Sequence, residues 1–154
     1  MRRAHSVRPA GEWDRTAAVD RVVLDATDRY RRRWLLKGER GTTVLLDLPH
    51  AIALRDGDGL VLDDGALVRV VGKPEPLYEV AAANASELAR LAWHLGNRHT
   101  EIQVIGRRLR IRRDHVLADM LQRLGAEITE VEATFEPDGG AYVLPHAHSG
   151  GAHD

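Results

Sequence analysis

The chain has no cysteine among its 154 residues, which excludes disulfide frameworks, thiolate zinc sites, iron–sulfur clusters and thiol catalysis. It also lacks long hydrophobic runs: no apolar stretch exceeds four residues, as at Val80 to Ala83. A membrane-spanning helix needs about 20. Charge of one sign is missing too. The 22 Lys and Arg nearly cancel the 23 Asp and Glu, leaving −1, so no strong field points to nucleic acid or to an anionic membrane. The start, Met1 to Pro9, is basic but has no apolar core behind it and does not read as a secretory signal. These absences lead to the expectation of a soluble, cytoplasmic protein, and the length suits one domain or two small ones.

What is present is unevenly distributed. Six of the eight histidines (His94, His99, His115, His146, His148 and His153) fall in the last 61 residues. The formal charge is +2 over residues 1–76 and −3 over 77–154, in keeping with two units of separate character.

Residues 1–76 read as β-structure. Short apolar runs recur at Val22–Leu24, Trp34–Leu36, Val44–Leu46, Ile52–Leu54, Leu60–Leu62 and Leu67–Val71, with turn signals between them at Lys37-Gly38, Arg40-Gly41, Asp56-Gly57-Asp58-Gly59 and Asp63-Asp64-Gly65. Asp-Gly steps favour hairpin turns because Gly accepts positive φ at little cost. The spacing predicts about six strands and no helix. Asp56-Gly57-Asp58-Gly59 lacks the bidentate Glu and full spacing of a calcium loop, so it reads as a turn. Arg31-Arg32-Arg33 reads as a solvated strand edge. Gly72-Lys73-Pro74-Glu75-Pro76 reads as a linker, its two prolines unable to continue a ladder.

Beyond it the period changes. Leu77 to Ala83 suits a strand. Asn84 caps a helix with Glu87 in capping-box position, and Leu88, Leu91, Ala92 and Leu95 form one apolar face before a stop at Gly96. Ile102–Ile105 and Leu109–Ile111 are strands around Gly106-Arg107. Asp114 caps a second helix with Leu117, Leu121 and Leu124 inward and Gly125 at its end, and Ile128–Phe135 closes as a strand. The order is βαββαβ, the split unit of ferredoxin-like domains. The predicted class is therefore α+β: an all-β domain over 1–74, a ferredoxin-like domain over 77–142, and a flexible tail over 143–154 that has nothing to bury.

Trp93-His94-Leu95-Gly96-Asn97-Arg98-His99-Thr100 is the densest polar constellation. His99 falls just past the first helix and is expected to be exposed. A lone surface histidine usually has no role, but imidazole is a common ligand of borderline divalent metals. One imidazole holds a metal weakly, whereas a two-fold axis nearby would duplicate it. His94, beside the apolar stripe, reads as a packing residue with one satisfied nitrogen. Asn97 reads as taking left-handed geometry beyond Gly96, and Arg98 as making a salt bridge. Asp114 reads as a cap, while His115 stays open between an auxiliary ligand and a surface residue. In the tail, His146, His148 and His153 suit weak binding of Ni²⁺, Cu²⁺ or Zn²⁺. No Ser-His-Asp set, Gly-rich phosphate loop or His-Glu-x-x-His helix is present.

At these residues the chain resembles the UreE urease accessory proteins, which are nickel metallochaperones. The matching stretches are Trp93 to His99 with Gln103 four residues on, Asp114-His115-Val116-Leu117 with Met120-Leu121, and Leu124-Gly125-Ala126. Phe135-Glu136-Pro137 and Gly139 to Tyr142 follow, before a His-containing tail. The resemblance covers about residues 77–148 by motif, and the first half by architecture, a β-rich domain similar to a chaperone peptide-binding domain. It implies a homodimer joined through the ferredoxin-like domains. His99 of each chain would meet its mate in a shared nickel site, with His146 and His148 adding ligands and His115 beside them. It further implies transfer of nickel to the GTPase UreG and so to apo-urease, with Zn²⁺ or Cu²⁺ able to occupy the same site. Some members carry His-Asp-His where this chain has Arg113-Asp114-His115. Many carry a longer His-rich tail, so this chain is expected to store less metal and to act as a carrier.

A site of few imidazoles without thiolates leaves coordination positions open for exchange, which suits a carrier and not an enzyme. Two other classes share some of these features. An RNA-binding module has the same element order but stacks bases on strand aromatics, and the candidate strands offer Ile102, Val104, Leu109 and Ile111. A small phosphate-handling enzyme using Asn97 and Arg98 would need a nucleophile that the sequence does not supply.

Overall fold

The structure, a computed structural model, describes residues 1–139, which are mostly strand with three helices. Its described residues divide between two compact units, one ending at Lys73 and the other beginning at Pro74.

The first unit is one six-stranded sheet. Its strands are β1 (Arg2–Arg8), β2 (Ala18–Leu24), β3 (Tyr30–Lys37), β4 (Thr43–Ala53), β5 (Gly59–Leu62) and β6 (Leu67–Gly72), in the spatial order β2-β6-β5-β1-β4-β3. Burial alternates residue by residue along β2, β4 and β6, as a strand with one face on a core must show. Leu46, Leu60, Val44, Val68 and Val70 are among its fully enclosed residues. The expected all-β domain is corrected by a single helical turn, α1 (Ala26–Arg29), which joins β2 to β3 and is too short to show an apolar period, with Asp25 accepting from the Asp28 N–H at 2.8 Å.

The strand inventory differs from the sequence expectation in two ways. Val44–Leu46 and Ile52–Ala53 belong to the one long strand β4. It passes through Pro49 where its pairing with β3 slips, between Arg31↔Ile52 and Arg33↔Asp47; an irregularity of this kind accommodates a residue without an N–H. The strand that the apolar runs missed is β1, which lies between β4 and β5. Only Ala4 of its seven residues is buried, so β1 is held by backbone ladders on both sides and leaves no hydrophobic signature. The parallel pairs β1–β4 and β2–β6 were likewise invisible to a reading built on hairpins.

Asp20 joins the two ends of this sheet. β2 and β3 are its opposite edges, yet the turn between β3 and β4 folds back onto β2. The Asp20 carboxylate accepts from the backbone N–H groups of Arg21 at 2.7 Å, Arg40 at 2.9 Å and Thr42 at 3.0 Å, and the Glu39 N–H donates to the Arg21 carbonyl at 3.0 Å. The approach is so close that a Cβ on Gly38 would lie 2.2 Å from Asp20 Oδ2. Only glycine fits there. Burial pushes the Asp20 carboxyl up, but the donors from Arg40, Arg21 and Thr42 outweigh it and hold the group at about 2.

The acidic turns are structural. Asp58 accepts from the N–H groups of Ala10 at 3.0 Å and Arg55 at 2.8 Å, and Asp56 from Gly72 at 2.8 Å. Gly57 takes φ +89°. Arg31-Arg32-Arg33 lies in β3, an edge strand, with Arg32 and Arg33 solvated as expected but Arg31 half-buried, its guanidinium 3.9 Å from the Trp34 ring centroid.

The second unit runs β7 (Pro74–Ala81), α2 (Ala85–Asn97), β8 (Gln103–Ile105), β9 (Arg108–Arg112), α3 (His115–Arg123) and β10 (Glu127–Thr134). Its antiparallel sheet has the order β10-β7-β9-β8. Val80, Leu109 and Ile111 of the strands pack with Leu91 and Leu95 of α2 and Leu121 of α3. The expected linker is a correction: Pro74 and Pro76 are inside β7. Pairing with β10 runs the whole length from Pro74 to Ala81, whereas pairing with β9 covers only Leu77–Val80. The prolines, two residues apart and so facing the same side, sit where one flank of β7 has no partner and no N–H is required. Leu124 is a second correction. Expected to face inward, it lies past the end of α3 and is 39% exposed.

Candidate metal centre

Both helices of the second unit end in the same way. In α3, the Ala126 N–H donates to the Leu121 carbonyl at 2.9 Å and the Gly125 N–H to the Gln122 carbonyl at 3.0 Å, with Gly125 at φ +91°. In α2, the Thr100 N–H donates to the Leu95 carbonyl at 3.1 Å and the His99 N–H to the Gly96 carbonyl at 3.0 Å. This is a Schellman closure, whose left-handed position is usually glycine. In α2 that position is occupied by His99 at φ +58°, the sole non-glycine residue with positive φ among the described residues.

This corrects two sequence expectations. Gly96 and Asn97 are still helical, and His99, not Asn97, takes the left-handed conformation. The shift arises because the helix runs on until Leu95 and Gly96 can offer carbonyls to the two closing N–H groups. His99 is exposed as expected, its side chain projecting from a backbone that costs about 1 kcal/mol more than glycine would. Arg98 has no ion-pair partner among the described residues. His94 is half-buried, its ring edge-on to Trp93 with centroids 5.0 Å apart. No hydrogen bond to its ring nitrogens is found among the described residues.

Asp114 is the cap of α3, accepting from Val116 at 2.9 Å and Leu117 at 3.2 Å. His115 is the first residue of that helix and is exposed. An open cleft of 530 Å³ brings it together with Arg98, Val116, Met120, Arg123 and Leu124. Two large apolar side chains of the helices are exposed, Trp93 at 65% and Val116 at 55%. Among the described residues no three His, Asp or Glu side chains converge into a set able to hold a metal ion. His146, His148 and His153 lie outside the described residues.

Two features escaped the sequence reading. Gln103, noted only as part of a motif, accepts the Glu136 N–H through its side-chain oxygen at 3.0 Å. Asp138 binds the edge strand twice, its N–H donating to the Ile102 carbonyl at 2.7 Å and its carboxylate accepting from the Val104 N–H at 2.7 Å. After β10 the chain therefore crosses to β8 and is fastened three residues from His99. The signal was a lone Asp after Phe135-Glu136-Pro137, which has no local periodicity to mark it.

Comparison with known proteins places these features in a family. Residues 2–72 match the UreE urease accessory protein N-terminal domain and residues 75–154 the C-terminal domain. The urease accessory protein UreE of Rhodopseudomonas palustris strain HaA2 is 55% identical over 153 residues, 99% of this chain and 70% of that protein. That of Beijerinckia indica is 51% identical over 143 residues, 93% and 82% of the two chains. That of Chelativorans strain BNC1 is 47% identical over 153 residues, 99% and 94%. With both domain patterns matched in order along the chain, this protein belongs to the UreE urease accessory proteins, which serve urease and are not themselves enzymes.

Proposed function

We propose that the chain is a nickel-binding metallochaperone that delivers Ni²⁺ for assembly of the urease active site, with the metal as cargo. The observation that carries the reading is His99: an exposed imidazole in a left-handed closure where α3 uses glycine. A histidine kept against its backbone preference is one held for its side chain.

One imidazole is too few. The remaining ligands are assigned to the His99 of a second copy across a two-fold axis, and to His146 and His148, with His115 as an auxiliary ligand. The bare Trp93 and Val116, and the cleft beside Arg98, support a homodimer, since large exposed apolar side chains mark association surfaces. Fastening Asp138 to Ile102 supports ligation by the tail. The eight residues from Asp138 to His146 span at most about 27 Å when fully extended, so a start this close to His99 leaves the reach ample. Zn²⁺ or Cu²⁺ would occupy the same imidazoles.

On this reading residues 77–142 form a ferredoxin-like metal-binding and dimerisation domain, and residues 1–74 a peptide-binding-like domain. The partners are UreG and, through it, apo-urease, in the cytoplasm. Calorimetric titration of Ni²⁺ into the wild type and His99→Ala tests the assignment. The variant is expected to lose high-affinity binding and the two-chain stoichiometry; undiminished tight binding in it rejects the site.

A further inference from the structure

The first unit carries a second cleft, of 250 Å³, lined by Arg15, Arg21, Arg40 and Arg69 together with Asp20 and Glu39. Its charges do not cancel locally. The Asp20 carboxylate is enclosed and taken up by backbone N–H groups, and Glu39 pairs with Arg21. Arg15, Arg40 and Arg69 are left without a carboxylate partner among the described residues.

Arg21 and Arg69 are also directly in register on the paired strands β2 and β6. Like charges placed opposite one another across strands destabilise a sheet unless something neutralises them. Arg69 Nε is enclosed and has no hydrogen-bond partner among the described residues, although an unpaired buried donor is destabilising. Arg21 has its counter-charge in Glu39, whereas Arg69 has none among the described residues. An oxyanion in the cleft would supply it, since the planar guanidinium fork matches the geometry of carboxylate and phosphate.

We propose that this cleft is an oxyanion-binding site that takes the carboxylate of an acidic peptide segment or inorganic phosphate. Its volume admits one such group and not a folded domain. Arg69 is the anchor, with Arg15 and Arg40 at the rim raising local anion concentration. The site is independent of the nickel reading.

The test is calorimetric titration of the full chain at low ionic strength with two probes, inorganic phosphate and an acetylated tetraglutamate amide. Arg69→Gln is expected to weaken the favoured probe at least tenfold. Arg40→Gln, whose exposed side chain makes no hydrogen bond or ion pair among the described residues, should weaken it severalfold, keeping the test valid if Arg69→Gln misfolds. Tighter binding of the peptide identifies a carboxylate-bearing partner, and binding of phosphate alone identifies a free anion. Binding of neither probe, or binding untouched in both variants, overturns the proposal. Nickel titration of the same variants should match the wild type, and that readout separates this site from His99.

Discussion

At the end of α2 a histidine holds the backbone conformation that glycine holds at the end of α3, through the same pair of closing hydrogen bonds. The comparison turns His99 into a separable experiment. His99→Gly removes the imidazole and relieves the left-handed conformation, and is expected to raise stability by about 1 kcal/mol while abolishing tight nickel binding. His99→Ala removes the imidazole but keeps a Cβ in the same place, so it should lose nickel without gaining stability. Thermal denaturation of the two metal-free variants decides it. A glycine variant that melts below the wild type would show that His99 also holds the fold.

Among the elements, α2 and α3 are the ones whose beginnings could be read from local chemistry. Asn84 accepts from the Glu87 N–H at 2.8 Å, and Asp114 from Val116 and Leu117, because a capping side chain and the N–H it satisfies are neighbours in sequence. Asp114→Ala should cost about 1 kcal/mol in chemical denaturation. Where α2 ends was less legible: Gly96 and Asn97 are both plausible stops, and the helix passes through both.

The clasp at Asp20 gave no sequence signal at all, since its partners Arg40 and Thr42 are some 20 residues away. With its carboxyl held at about 2 against an ordinary 3.8, its stabilisation is fully present above pH ~3.8 and is lost as pH falls through about 2. The shift corresponds to roughly 2 kcal/mol. Unfolding measured from pH 6 down to pH 2 should show this loss in the wild type and a flatter profile in Asp20→Asn, which should be less stable at neutral pH.

For the whole molecule, the shared-site reading couples metal to assembly. Nickel is expected to raise the melting temperature more at higher protein concentration, chelation should reverse the gain, and His99→Ala should abolish it. The effect should fade as pH falls through the range where free imidazole titrates, about 6.5, because a ligating nitrogen must be unprotonated. Sedimentation at matched nickel concentrations provides the second measurement, and a monomer throughout would reject the coupling.

Amphipathic period, caps and Asp-Gly turns were enough to locate the two helices of the second unit, most strands and the exposed His99, because each depends on residues within one or two turns of chain; the single turn α1 has no such period to mark it. The sheet orders were decided elsewhere. β1 sits between β4 and β5 with one buried side chain, Pro74 and Pro76 are admitted to β7 by the partner it lacks on one side, and Asp138 is brought to Ile102 from 36 positions away. Each of these contacts joins backbone groups distant in sequence, and backbone donors and acceptors are the same for every residue type. Side-chain pattern cannot name their partners; only the closed chain can.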